Sequence, residues 1–309
     1  MEVEVLVRRR YVIADVFTDK PFCGNPVAVV LDAEGLTTEQ MQLLALEFGY
    51  SETTFVLPPE EPSHTAWVRI FTPTREIPFA GHPNIGTAFV LAYQAELNGE
   101  SLPETLIFEE AAGRVPVRII RENAKVTGAE LLVPQALSCH SEVSTENVAA
   151  CLSLEASDIR TEMHMPVVAS VGLPFLIVEL ATRNALRCCV PNLQGFRAIL
   201  PLDGAVSIYA YTLETDPEDP CDLQARMFTP RMTEDPATGS ATGAVTALLA
   251  QLRNKKELSL RVSQGVDMGR ASILFSGYDG TAESPSVRVG GKSVIVMEGY
   301  FHCPDGRGE

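Results

Sequence analysis

The sequence of 309 residues predicts an α+β fold built twice, and three observations carry that reading. Residues 71–91, FTPTREIPFAGHPNIGTAFVL, read as a strand end, a loop and a helix that is apolar nearly all round through Ile85, Ala88, Phe89, Val90 and Leu91. A helix with no solvent face has to be buried. Residues 228–249, FTPRMTEDPATGSATGAVTALL, repeat the arrangement with the same FTP triplet, a charged loop, a Thr-Gly-Ser turn and a second almost wholly apolar helix. Setting Gly81 on Gly239 brings the two triplets to within one residue of register, which points to a duplicated architecture with paired helix N-termini. The third observation is that most of the remaining chain reads as short β-rich runs.

Taken in order, residues 11–16 and 27–31 are strands joined by a turn through Lys20-Pro21-Phe22-Cys23-Gly24-Asn25-Pro26. Thr37 opens a helix with a capping box to Gln40; Met41, Leu44, Ala45 and Phe48 form its apolar face and Gly49 ends it. Residues 51–57 and 67–71 are strands feeding the first apolar helix, where Pro83 suits a first helical position. Strands follow at 105–108, 115–120 and 129–133. Residues 134–144 are polar and lack a sustained apolar period, so they read as the linker. Helices at 145–152 and 191–199 alternate with strands at 167–171, 175–180 and 206–211; 214–220 is an acidic, proline-broken loop into a strand at 223–228. After the second apolar helix come strands at 258–262, 272–275, 287–289 and 294–297. Gly290-Gly291-Lys292-Ser293 lacks the glycine a phosphate loop needs five residues before the second glycine and reads as a hairpin turn.

The formal net charge is −16 and the pI about 4.8, with no basic stripe to neutralise phosphates, which argues against a nucleic-acid partner. The one basic cluster, Arg8-Arg9-Arg10, runs into a strand and reads as a solvated strand end. No apolar run approaches the roughly 20 residues that span a bilayer, and MEVEVLVRRR lacks the apolar core of a signal peptide, so a cytoplasmic protein without a membrane partner is expected. Seven cysteines without a C-x-x-C spacing read as reduced, mostly buried thiols. The five histidines show no ligand spacing, so no metal is expected.

The N-terminus of each apolar helix offers free N–H groups backed by the helix dipole, an anion site, and in the first copy an imidazole stands beside it. Each candidate has a plain alternative: Glu52 as a strand-edge acid, His82 as a helix-cap histidine, Asp235 as a turn acid and Ser240 as an N-cap. Gly239-Ser240-Ala241-Thr242-Gly243 is no serine nucleophile elbow, because the serine is not centred between glycines.

Four segments taken together, DVF followed by FCGNPVAVV within 15–30, SETTFV at 51–56, FTP followed by PFAGHP within 71–83, and EDPATGSA at 234–241, resemble the PhzF-like (phenazine biosynthesis-like) isomerase family, related in fold to diaminopimelate epimerase and proline racemase. The resemblance covers essentially the full length. It implies two pseudo-symmetric domains, each a curved, barrel-like β-sheet around a central buried helix, divided as 1–135 with a returning strand at 298–309 and 136–297, with the site in the cleft between them. It implies a homodimer without cofactor or metal. The paired catalytic cysteines of the related epimerases match Ala80 and Thr238 here, which disfavours two-thiol racemisation. The resemblance implies instead that Glu52 moves a proton within a small carboxylate-bearing substrate, as base and then acid, with a pKa raised by an enclosed cleft. His82, with the backbone at Gly81, Gly239 and Ser240 beside Thr238, would hold the substrate carboxylate, and Asp235 would bond an amino or hydroxyl group. An amino or imino acid epimerase, using His82 or Asp235 as second base, and a non-catalytic binding protein are the alternatives.

Overall fold

The computed structural model describes residues 6–133, 135–281 and 284–304. Contacts gather the chain into two compact units: the described residues up to Leu131 with those from Gly291 onward, and Leu132–Gly290. The expected borders stood at 135/136 and 297/298; residues 1–5, 134 and 305–309 of the expected domains and linker lie outside the described residues.

The first unit runs β1 (Leu6–Val16), β2 (Asn25–Val30), α1 (Thr38–Phe48), β3 (Thr53–Leu57), β4 (Ala66–Phe71), β5 (Glu76–Ile77), α2 (Gly81–Leu97), β6 (Thr105–Glu110), β7 (Gly113–Glu122) and β8 (Lys125–Leu132). The second runs β9 (Ser138–Glu142), α3 (Thr145–Leu152), β10 (Val167–Ser170), β11 (Pro174–Glu179), α4 (Arg183–Cys188), α5 (Leu193–Ile199), β12 (Ile208–Thr212), β13 (Leu223–Phe228), β14 (Glu234–Asp235), α6 (Gly239–Leu252), β15 (Glu257–Gln264) and β16 (Ser272–Asp279). The last strand, β17 (Ser286–Pro304), pairs with β16 through its first residues and with β1 through its later ones.

In the first unit the pairings close a ring in the order β1, β2, β3, β4, β6, β7, β8, β17 and back to β1. Closure removes the sheet edges that would otherwise need covering. Helix α2 lies against β1, β2, β3 and β7, and eleven of its 17 residues are buried, as an almost stripe-free apolar surface requires. Gly86 lets the helix come this close, because a Cβ there would collide with Val27 and Val16. The second unit repeats the wiring. The parallel pair β2–β3 around α1 corresponds to β11–β12 around α4 and α5, and the parallel pair β4–β6 around α2 to β13–β15 around α6. Eleven of the 14 residues of α6 are buried against β10, β11, β15 and β16.

The repeat also reaches further than the FTP triplet. Arg69 grips Glu76 with two bonds of 2.7 Å across β4 and β5, and Arg226 grips Glu234 at 3.0 and 2.7 Å across β13 and β14. The turn between each Arg and Glu differs by one residue: the Thr72 N–H bonds Arg75 O, whereas the Thr229 N–H bonds Thr233 O. That is the one-residue offset seen in the sequence.

Four expectations change. The segment 290–293 is no hairpin: β17 runs straight through it, and Gly128 of β8 comes so close that a Cβ there would collide with the Gly291 carbonyl and Lys292. These glycines serve close strand approach rather than a reversal. The expected linker holds β9, whose polar side chains face outward while its backbone pairs with β10. Helix α2 starts at Gly81, so Pro83 is its third residue, still inside the turn whose N–H groups have no helical partner. The basic cluster is no solvated end either: Arg9 is 3% exposed, its Nη1 donating to the Asp32 and Glu34 carbonyls, and Arg8 lies 3.6 Å over the Tyr300 ring. The seven cysteines are free thiols, but only Cys151, Cys189 and Cys303 are buried. Among the described residues no helix is long and apolar enough to cross a membrane.

Candidate active site

The strand pairing of the first unit gathers three residues far apart in sequence. Strands β2 and β3 are parallel with Ala28 opposite Thr53, so Pro26 and Glu52 fall at neighbouring strand starts. The β1–β2 connection is shaped for this: Phe17, Phe22 and Gly24 adopt left-handed backbone, and the Phe22 N–H donates to Asp15 Oδ2 at 2.7 Å. His82, second residue of α2, meets both. Its Nε2 lies 3.3 Å from the Pro26 carbonyl and its Nδ1 3.1 Å from Glu52 Oε2.

Burial fixes what this contact can be. His82 is 7% exposed, and loss of solvent lowers its pKa from 6.5 to about 4 against the opposing pull of the Pro26 carbonyl. A carbonyl only accepts, so the ring proton of the neutral imidazole sits on Nε2 and Nδ1 carries a lone pair. The bond to Glu52 then needs a proton between Nδ1 and Oε2. The pair is a proton relay of two atoms, with the carboxyl 18% exposed and the imidazole behind it.

The helix beginning behind His82 is open in a way most others are not. Helices α1, α3, α4 and α5 start under a side-chain cap from Thr37, Ser144, Thr182 and Asn192. The N-caps of α2 and α6, Ala80 and Thr238, make no side-chain cap bond. The first-turn N–H groups of those two helices are therefore left to other acceptors, with the dipole favouring an anion. A Cβ built on Gly81 meets nothing within 4 Å, so the fold itself leaves room there.

In the second unit, Asp235, Thr238, Gly239 and Ser240 stand together at the start of α6. The Thr238 hydroxyl donates to Asp235 Oδ2 at 2.6 Å, which orients the carboxylate. Gln264, at the end of β15, accepts from the Thr238 N–H at 3.1 Å and donates to the Asp235 carbonyl at 2.9 Å. Ser272 donates to the Pro236 carbonyl at 2.9 Å. One turn in, the Tyr209 hydroxyl bonds Thr242 at 3.0 Å, and burial raises its pKa, keeping it protonated. Ser240 is the second helical residue, so it is not the N-cap; that is Thr238.

Sequence reasoning missed Pro26, Gln264 and the Arg226–Glu234 clamp. Only Arg226 left a trace, since Arg-x-Phe-Thr-Pro recurs at 69–73 and 226–230. A cavity of about 630 Å³ lies instead beside the C-terminal half of α2, lined by Leu91, Gln94 and Asn98, and contains none of the candidate residues.

A family model of phenazine biosynthesis-like proteins (PhzC-PhzF) matches residues 14–299. The chain belongs to this family. It is 35% identical to an uncharacterized isomerase of Mesorhizobium japonicum, over 94% of this chain and 98% of that one. It is 34% identical, with the same coverage, to the trans-2,3-dihydro-3-hydroxyanthranilate isomerase of Pseudomonas aeruginosa. The crystal structure of a PhzF-family phenazine biosynthesis protein of Bacillus anthracis superposes with a TM-score of 0.84 at 28% identity, covering 96% of this chain and 99% of that one. A hydroxyproline epimerase of Agrobacterium vitis shares the fold, with a TM-score of 0.62 at 13% identity, covering 96% and 92%. By this kinship the family member described here is an isomerase of epimerase-like fold.

Proposed function

We propose that the chain catalyses a proton shift within a small, unsaturated substrate that bears a carboxylate, with Glu52 as the group that carries the proton. The observation behind this is the Glu52–His82 contact of 3.1 Å at the start of an uncapped helix. In the proposed cycle Glu52 removes a proton from a saturated carbon and the electron pair enters the adjoining π system. The same carboxyl then returns the proton to the far end of that system, on the same face. No atom is gained or lost, so no co-reactant is needed.

While Glu52 acts as base, the relay proton rests on His82 Nδ1. That imidazolium is costly in a buried site, which the lowered pKa expresses, and a substrate carboxylate at the α2 N-terminus would offset the cost. Gly81 leaves room for it. The reading also assigns Asp235, oriented by Thr238, to an amino or hydroxyl group of the same substrate, and the backbone of Gly239 and Ser240 to its charge. The site would thus lie in a cleft between the two units.

The experiment starts from the substrate of the 34% identical relative. Trans-2,3-dihydro-3-hydroxyanthranilate would be incubated with wild type and Glu52→Gln in D2O and followed by NMR, with other small cyclic carboxylates alongside. Isomerisation or deuterium uptake that depends on Glu52 supports the proposal. Turnover undiminished in Glu52→Gln would sink it, and inversion at one carbon without a double-bond shift would replace it by epimerisation.

A further inference from the structure

One buried acid in the first unit has no part in the proton shift. Glu110 ends β6 and is 9% exposed, yet neither of its carboxyl oxygens has a hydrogen-bond partner at rest. Asn84 lies beside it in the first turn of α2, fully buried. The Asn84 Nδ2 donates to the Ala80 carbonyl at 3.0 Å, while its Oδ1 has no partner. The turn after β6 is tied to the same place, because the Ala112 N–H donates to the Pro78 carbonyl at 3.2 Å, just ahead of the helix. A carboxylic acid and a primary amide are complementary: the acid O–H can donate to Oδ1 and the amide can return a bond from its second proton.

We propose that Glu110 is a positioning residue for the first turn of α2, braced on Asn84 and through it on the Ala80 carbonyl, so that His82 keeps its place against Glu52. Burial supports this, since loss of solvent raises the Glu110 pKa from 4.5 to about 8 while Asn84 pulls it partly back, leaving an O–H to donate at neutral pH. The charged groups around it are Glu60, Arg69, Glu76, Glu109 and Arg114, which line a cavity of about 400 Å³ with Glu110, and His82 on α2. Arg69 is engaged with Glu76 and Glu109 with His64, each at 2.7 Å. Ionised, Glu110 would lose its donor and turn a negative charge on Asn84 Oδ1, and the brace would fail.

The importance of the brace for turnover rests on the function proposed above, but its geometry does not, so the test needs no substrate. Protein labelled with ¹⁵N-histidine would be titrated from roughly pH 6 to 10 by NMR, with His82 assigned through His82→Asn among the five histidines. The wild-type His82 ring signals should shift with a midpoint near 8. Glu110→Gln can still donate to Asn84 at every pH, so its His82 signals should stay at the low-pH wild-type position. Glu110→Leu should displace them at all pH values, and if it does not fold, Glu110→Gln carries the test alone. A flat wild-type profile, a step that survives in Glu110→Gln, or Glu110→Leu spectra that overlay the wild type would each overturn the proposal.

Discussion

The two apolar helices begin from the same scaffold and face different chemistry. Ahead of each stand an Arg–Glu clamp and an FTP turn, and each lacks a side-chain cap. Around the start of α2 lie an imidazole against a carboxyl and a buried acid, Glu110, whose pKa is far from ordinary. Around the start of α6 the bonds run through neutral groups, Gln264, Thr238 and Tyr209, and the one carboxylate, Asp235, is already held by a hydroxyl. With Gly81 set on Gly239, His82 corresponds to Ser240 and Ile77 to Asp235. The comparison teaches that duplication repeats the scaffold of an anion site, while single substitutions at its mouth decide which copy can move a proton and which can only hold and orient.

The largest effect should come from activity. Glu52→Gln should lower proton transfer roughly 10³-fold, whereas Asp235→Asn should cost about tenfold, mainly in KM. Equal losses in kcat would break the division of labour.

Next is the dependence of stability on pH, which should run in opposite directions for the two buried groups at α2. His82 is held neutral, so its contribution is complete above 6.5 and is lost as pH falls toward about 4. Glu110 is held protonated, so its contribution is complete below 4.5 and is lost as pH rises toward about 8. Each window spans on the order of 3 kcal/mol. In urea denaturation, Glu110→Gln should gain on the wild type as pH is raised from about 5 to 8, and His82→Gln should gain as it is lowered from about 7 to 4.5. No such windows are expected from the neutral bonds around α6.

Smaller still is the loss expected from Gln264→Leu, which strands the Thr238 N–H and the Asp235 carbonyl in a buried place and should cost about 2 kcal/mol. Thr37→Ala removes the capping box of α1, away from either site, and should cost about 1 kcal/mol with turnover unchanged. A fall in turnover with that control would mean that general destabilisation, not site chemistry, is being read.

The sequence by itself determined what depends on near neighbours. The capping box of Thr37 and Gln40, the αL end at Gly49, the helix at 145–152 and the two buried helices were legible because each needs only residues a turn or two apart. The repeated FTP loop was legible because both copies keep their spacing. What only the tertiary structure decided is pairing across long stretches. His82 meets the Pro26 carbonyl 56 residues away, and Gln264 reaches Thr238 across 26 residues. The Gly290-Gly291 strand, taken for a turn, and the polar strand β9, taken for a linker, were misread for one reason. A strand is held by backbone bonds to a distant partner, and those leave little mark on the side chains of the strand itself.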